Sequence, residues 1–343
     1  MIELRTLADG GQTPAEIARE LADFLGKATR SLELALYDIR LHDEAAELVK
    51  GALVGVAERG VAVRLAYNVD YSKHGPPPPK TEPTLIESLP VPTRAVPGVP
   101  DLMHHKYVVR DGSAVWTGST NWTDDSWSRE ENVIVRVESP ALAAAFQLDF
   151  EQLWTTLSVE KSGKVATDPI DVGGVPVRAW FCPRRGEKLA HRIAHAIACA
   201  ERRVRIASPV ITSGPILGPL GEAVADAKVD IAGVVDVTQI HEVLGQGSEN
   251  PRSAWKGPAL VATLNGAPFS GKRSTPYRPG SVHDYMHAKI TVCDDTAFVG
   301  SFNLSHSGEQ NAENVLEIAD AGIAERLAAF VDEIRARYPA VSL

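Results

Sequence analysis

Apolar residues recur along this chain with two periods that alternate. Over residues 14–27, 43–59, 187–200 and 215–227 they return every three or four positions, which predicts amphipathic helices. Between these stretches lie short runs rich in Leu, Val, Ile and Ala, at 32–37, 61–67, 204–207 and 229–235, the pattern of buried strands. Strands alternating with helices predict α/β layering. Because the order helix, strand, helix, strand occurs once in each half, the pattern predicts two similar α/β/α sandwich domains related by pseudo-twofold symmetry. Helices over 140–157 and 322–337 would close them.

Two hairpins stand out within that layout. Tyr107-Val108-Val109 and Val115-Trp116-Thr117 flank Asp111-Gly112-Ser113; Ile290 to Cys293 and Ala297-Phe298-Val299 flank Asp294-Asp295-Thr296. Residues 159–174 turn polar and lose periodicity, so the junction is expected there: a first domain over 1–160, a linker over 161–172 and a second domain over 173–343. Two more segments read as irregular, 72–100 with Pro76 to Pro79 consecutive, and 245–284. Each directly precedes a hairpin, and long loops so placed are expected to rim a cleft.

The hairpins carry the chemistry. The first copy reads His104-His105-Lys106, Asp111, Gly118-Ser119-Thr120-Asn121, Glu131-Asn132; the second reads His287-Ala288-Lys289, Asp294, Gly300-Ser301-Phe302-Asn303, Glu313-Asn314. The histidines are 183 residues apart, whereas the glycines, asparagines and glutamates are each 182 apart, so one residue is missing between Asp294 and Gly300. Such a match marks an internal duplication. On a strand, residues i and i+2 share a face, so His104 points with Lys106 and His287 with Lys289. His105 faces the other way and is expected to be structural. Alone, a His-x-Lys is ordinarily a surface pair and a Gly-Ser-x-Asn ordinarily a turn; found together twice, they point to catalysis. Two facing copies would hold a phosphodiester between Lys106, Lys289, Ser119, Ser301, Asn121 and Asn303, whose donors also stabilise a five-coordinate phosphorus. One imidazole would attack while the other protonates the leaving alkoxide. Glu131 and Glu313, equally spaced behind each Asn, are candidates to fix the imidazole tautomers.

Both copies resemble the HxKxxxxD and GSxN motif of the phospholipase D superfamily, the second departing only in its shorter Asp294 to Gly300 interval. The resemblance implies an active site at the interface of the two domains and a covalent phosphohistidine. It also implies glutamates that hold the histidines, and chemistry without metal or other cofactor. It favours His104 as nucleophile and His287 as general acid. The motif aspartates Asp111 and Asp294 fall at hairpin turns and are read as structural, with Gly118 and Gly300.

Charge and composition narrow the partners. A net charge of −9 argues against an extended nucleic-acid surface. A local basic cleft from Lys73, Lys80, Lys272, Arg273 and Arg278 remains open, as does base stacking or lipid contact by Tyr71, Trp255, Phe269, Tyr277 and Tyr285. Cys182, Cys199 and Cys293 form no even disulfide set, and no leader-like or membrane-length apolar run is present, so a soluble cytoplasmic protein without stable membrane insertion is expected. No zinc or calcium ligand cluster is evident, and Lys beside each motif His disfavours a cation. With both motifs in one chain, a monomer suffices for a complete site. Three functions stay open: hydrolysis or transfer of a phospholipid ester, favoured by the acidic balance; a metal-independent nuclease acting on DNA or RNA; and a non-catalytic phosphate-binding module, disfavoured because both motifs are intact.

Overall fold

The computed structural model describes residues 1–69, 84–247, 254–278 and 280–343. Tyr71, Lys73, Pro76 to Pro79 and Lys80 lie outside them. In the first half the elements run β1 (Ile2–Leu7), α1 (Pro14–Gly26), β2 (Ser31–Leu36), β3 (Ile39–Arg40), α2 (Asp43–Glu58), β4 (Ala62–Val69), α3 (Thr84–Glu87), β5 (Thr93–Pro97), β6 (Lys106–Arg110), β7 (Ala114–Gly118), β8 (Trp122–Thr123), α4 (Asp124–Ser128), β9 (Asn132–Glu138) and α5 (Pro140–Thr156). The second half runs β10 (Ile170–Val172), β11 (Val175–Phe181), α6 (Gly186–Ala198), β12 (Arg203–Ala207), α7 (Gly214–Asp226), β13 (Asp230–Asp236), α8 (Val237–Gly247), α9 (Lys256–Gly266), β14 (Phe269–Lys272), β15 (Ile290–Cys293), β16 (Thr296–Gly300), α10 (His306–Gln310), β17 (Asn314–Ala319) and α11 (Ala321–Arg337).

Apart from β3 and β8, which pair with each other, the strands form two large mixed sheets. The first has the order β1-β9-β7-β6-β2-β4-β5, and the second, after its extra edge strand β10, has β11-β17-β16-β15-β12-β13-β14. Matching the strands by sequence order within each half gives one arrangement twice. In both, the motif hairpin is central: β6 and β15 are flanked by antiparallel neighbours on each side. The hairpin turns differ as the spacing required. Arg110 pairs with Ala114 across three residues, whereas Cys293 pairs with Thr296 across two.

Layering follows from which faces are apolar. The inner faces of both sheets meet α5 and α11 in one shared core that includes Tyr107, Val133, Phe146, Phe150, Phe181, Leu316 and Leu327. The outer face of the first sheet is covered by α1 and α2 through Ile17, Leu21, Val49 and Leu53. The outer face of the second is covered by α6, α7 and α9 through Leu189, Ile193, Leu217 and Leu264. Local signals set the helix starts. Thr13 and Glu16 form a reciprocal capping box ahead of α1 with Pro14 in its first turn, and Ser139 and Asp320 cap α5 and α11.

Among the departures from expectation are strands and helices hidden in segments that read as irregular, α3 within 72–100 being one. Thr93–Pro97, Lys256–Gly266 and Phe269–Lys272 are β5, α9 and β14, and Ile170–Val172, read as connecting chain, is edge strand β10. β5 and β14 extend the parallel side of each sheet, where backbone pairing rather than side-chain alternation holds them. Among the described residues no helix is long and apolar enough to cross a membrane.

Candidate active site at the seam of the two halves

The segments leading into the two motif hairpins are tied to the opposite half through reciprocal backbone bonds. The His104 amide donates to the Ala312 carbonyl at 2.9 Å, and the His287 amide donates to the Glu131 carbonyl at 3.1 Å. One residue earlier, the Met103 amide donates to Asn68 Oδ1 and the Met286 amide to Asp236 Oδ2, both at 3.0 Å. Asn68 and Asp236 hold matching positions near the ends of β4 and β13. Sequence reasoning passed over this pair because each reads simply as the polar end of a strand.

Each imidazole is clamped by the opposite half. His104 Nδ1 lies 2.8 and 2.9 Å from the two carboxylate oxygens of Glu313. His287 Nδ1 lies 3.1 Å from Asn132 Oδ1 and 3.4 Å from Glu130 Oε2. A carboxylate or a carbonyl oxygen can only accept, so both rings carry their proton on Nδ1 and keep Nε2 for other chemistry. The amide of Asn132 is oriented by its own donors, since Nδ2 reaches the Ser126 carbonyl at 3.2 Å and Glu130 Oε2 at 3.0 Å.

The ammonium groups complete the cluster. Lys106 Nζ donates to the His104 carbonyl at 2.7 Å and sits 4.9 Å from the centre of the Tyr37 ring, which itself meets His104 edge-on at 4.7 Å. Lys289 Nζ donates to the His287 carbonyl at 2.5 Å. All four groups are buried, and that governs their charge. Burial pushes Lys106 down to about 7, with Glu313 opposing. Lys289 is pushed down by burial and by Lys106. Both imidazoles fall well below the usual histidine range through burial and then through the field of the two lysines, so all four groups lie within electrostatic reach of one another. Burial likewise raises Glu313 and Glu130 to about 7.

A family model described as "Cardiolipin synthase, PLD-like domain" matches residues 21–154 and 193–335, well over half of the chain. The chain belongs to the phospholipase D superfamily. It is 30% identical over 143 residues to a mitochondrial cardiolipin hydrolase from Chlamydomonas reinhardtii, covering 41% of this chain and 59% of that protein. It is 28% identical over 233 residues to a cardiolipin synthase from Geobacillus sp. (strain WCH70), covering 60% of this chain and 44% of that one. It therefore spans less than two thirds of these curated relatives. Its fold is similar to that of phosphatidylserine synthase from Haemophilus influenzae Rd KW20, with a TM-score of 0.67 over 98% of this chain and 87% of that one at 13% identity.

Within this phospholipase D fold several expected site residues take other duties. Ser119 and Ser301 are fully buried. Their hydroxyls accept from the backbone amides of Val133 and Asn314 at 3.0 Å, and Ser119 donates to Asn132 Oδ1 at 2.6 Å. They brace the residues that hold the histidines, a duty that the motif spacing alone did not reveal. Asn121 and Asn303 each carry a buried carboxamide oxygen with no partner among the described residues, in keeping with a place in the pocket. Gly118 and Gly300 are required where they stand, because a Cβ would lie 2.1 Å from the Val133 carbonyl oxygen and 2.0 Å from that of Asn314.

Glu131 does not reach His287. Its carboxylate accepts from Lys272 Nζ at 3.0 Å and from the Tyr338 hydroxyl, and Lys272 also pairs with Asp9 at 3.0 Å. Lys272 is thus a buried tie between the halves, not part of a basic cleft, and Phe269 is core. Arg273, Arg278, Trp255 and Tyr277 are exposed. Tyr277 and Tyr285 flank His283, whose Nδ1 lies 3.2 Å from an Arg40 nitrogen; Arg40 is in turn held by Asp38 at 2.7 Å. His105 is enclosed between Asn314 at 3.3 Å and Asp149 at 3.0 Å.

Proposed function

We propose that the protein is a phosphodiesterase of the phospholipase D type that hydrolyses or transfers a phospholipid ester. The observation that carries this reading is the reciprocal clamp, which holds two imidazoles by Nδ1 beside two buried lysines. His104 Nε2 attacks phosphorus, forming a P–N bond as the P–O bond to the leaving group breaks, and protonated His287 gives its proton to the departing alkoxide. Water, or an acceptor alcohol, then attacks the phosphohistidine while His287 takes back a proton, and the P–N bond breaks. Lys106, Lys289, Asn121 and Asn303 hold the phosphoryl oxygens and stabilise the added charge. An entering anion also supplies the field that lets His287 and the lysines carry protons that burial otherwise removes.

The phospholipid assignment rests on the family description, on the names of the curated relatives, and on the net charge of −9. Burial of Lys272 removes one of the cations a nuclease would need at the rim. The test is cleavage in EDTA of bis(p-nitrophenyl) phosphate, of phosphatidylcholine or cardiolipin vesicles, and of single- and double-stranded DNA. Wild type should release phosphatidate, and folded His104→Ala and His287→Ala should be inactive. Shortened DNA without phosphatidate would overturn the substrate, and full activity in either variant would overturn the chemistry.

A further inference from the structure

The two histidines are held in opposite ways, and the cause is a slip in strand register. Gly118 pairs with Ile134, whereas the corresponding Gly300 pairs with Val315. Counting back from those pairs, Asn132 occupies the place of Glu313, Glu131 that of Ala312 and Glu130 that of Asn311. The isolated bridges agree, since Met286 pairs with Glu131 and Met103 with Ala312. One half therefore offers Asn311-x-Glu313 to His104 and the other Glu130-x-Asn132 to His287, the same two side chains in reversed order. At His104 the carboxylate touches the ring, with Asn311 Nδ2 behind it at 3.4 Å from Glu313. At His287 the carboxamide touches the ring at 3.1 Å. The carboxylate stands beside it at 3.4 Å, fixed by the Ser126 hydroxyl at 2.6 Å and Asn132 Nδ2 at 3.0 Å.

We propose that Glu130, and not Glu131, is the positioning carboxylate of His287, acting directly and through Asn132, and that the reversed order divides the labour between the two rings. A carboxylate in contact stabilises positive charge on an imidazole, as the phosphohistidine at His104 requires. A neutral carboxamide in contact leaves an imidazolium more willing to release its proton, as an acid facing an alkoxide requires. The division of labour rests on the proposed phosphodiesterase chemistry; the positioning of His287 by Glu130 does not.

The test therefore has two independent readouts. Imidazole nitrogen resonances of the folded protein read the positioning alone: Glu130→Gln should shift those of His287 and leave those of His104, while Glu131→Gln should shift neither. Movement of the His287 signals by Glu131→Gln, or their indifference to Glu130→Gln, overturns the assignment. The second readout compares a p-nitrophenyl ester, which needs little protonation to leave, with an alkyl ester. Glu130→Gln should slow the alkyl ester at least ~10-fold in kcat, part of the ~10²–10⁴ that a positioned acid contributes. The initial p-nitrophenolate burst and KM should stay within ~3-fold. Glu130→Asp, which keeps the charge, should recover part of the loss. Equal slowing of both esters overturns the division of labour. Inactivity of the wild type on every diester would defeat the phosphodiesterase reading while leaving the resonance test standing.

Discussion

Replacing Asp111 by alanine should remove stability and leave the chemistry in place. The Asp111 carboxylate accepts from the backbone amides of Thr29 at 3.0 and 3.1 Å, Arg30 at 2.6 Å and Ser31 at 3.0 Å, and from the Thr29 hydroxyl at 3.1 Å. A hydrogen bond to a charged group contributes ~1.5–3 kcal/mol. This carboxylate is partly exposed, and water replaces some of what is lost, so ~1 kcal/mol per amide is the fitting share. Asp111 has φ +55°, where alanine adds ~1 kcal/mol. The total is ~3–4 kcal/mol, or on the order of 10 °C in Tm at the usual ~2–4 °C per kcal/mol. The length of β6, roughly 16 Å at ~3.3 Å per residue, separates the turn from Lys106, so kcat should remain within ~3-fold. Asp294 repeats the arrangement, accepting from the amides of Glu201 at 2.9 Å, Arg202 at 2.9 Å and Arg203 at 3.0 Å at φ +51°, and Asp294→Ala should behave alike. Thermal melting and diester turnover on the same preparation decide the matter. A variant with unchanged Tm and kcat down ~10³-fold would refute the reasoning, since that is the scale of a lost catalytic group.

Anion binding should take up protons. Lys106 sits near 7 in the free site, so above that pH it lacks a proton that a bound anion restores, and sulfate affinity should fall as pH rises from 7 to 9. Calorimetry in buffers of different ionisation enthalpy should find protons taken up on sulfate binding at pH 8, up to about one of them by Lys106, and no uptake would contradict the burial argument. Gly300→Ala drives a Cβ to 2.0 Å from the Asn314 carbonyl oxygen beside Glu313. It should cost ~1–3 kcal/mol and at least ~10-fold in activity; unaltered denaturant midpoint and kcat would contradict the close approach. Lys272→Met leaves Glu131 and Asp9 without their shared cation and should cost ~3–5 kcal/mol in urea unfolding, partly recovered by adding Glu131→Gln. A fully additive double variant would show that the tie does not couple the halves.

Elements carried by side-chain periodicity were legible. The stretches 14–27, 43–59 and 322–337 became α1, α2 and α11 within a residue or two at each end, because each buries one apolar stripe on a sheet. β5 and β14 escaped because neither Thr-Arg-Ala-Val-Pro nor Phe-Ser-Gly-Lys alternates; both are set by backbone pairing to a neighbouring strand. In the site, the His-x-Lys pairs and Glu313 fell where spacing placed them. The partner of His287 did not, for a definite reason. Glu-Asn recurs at the same sequence offset in both copies, which disguises a one-residue shift that period-two alternation turns into a change of face. The single available signal was the extra acid at Glu130, opposite Ala312 in the sequence match. Lys272 misled because a basic residue in a Gly- and Ser-rich stretch reads as solvated, while its buried partners lie over a hundred residues away in sequence.

The crossed clamps also set an order of events in time. A chain leaving the ribosome that has folded only as far as Glu138 contains the entire first motif, yet His104 still lacks the carboxylate at position 313. Its ring is free to exchange tautomers, and no second imidazole faces it. On the proposed chemistry an unfinished molecule is therefore silent, and the complete pair of clamped histidines forms only after the last strands have docked.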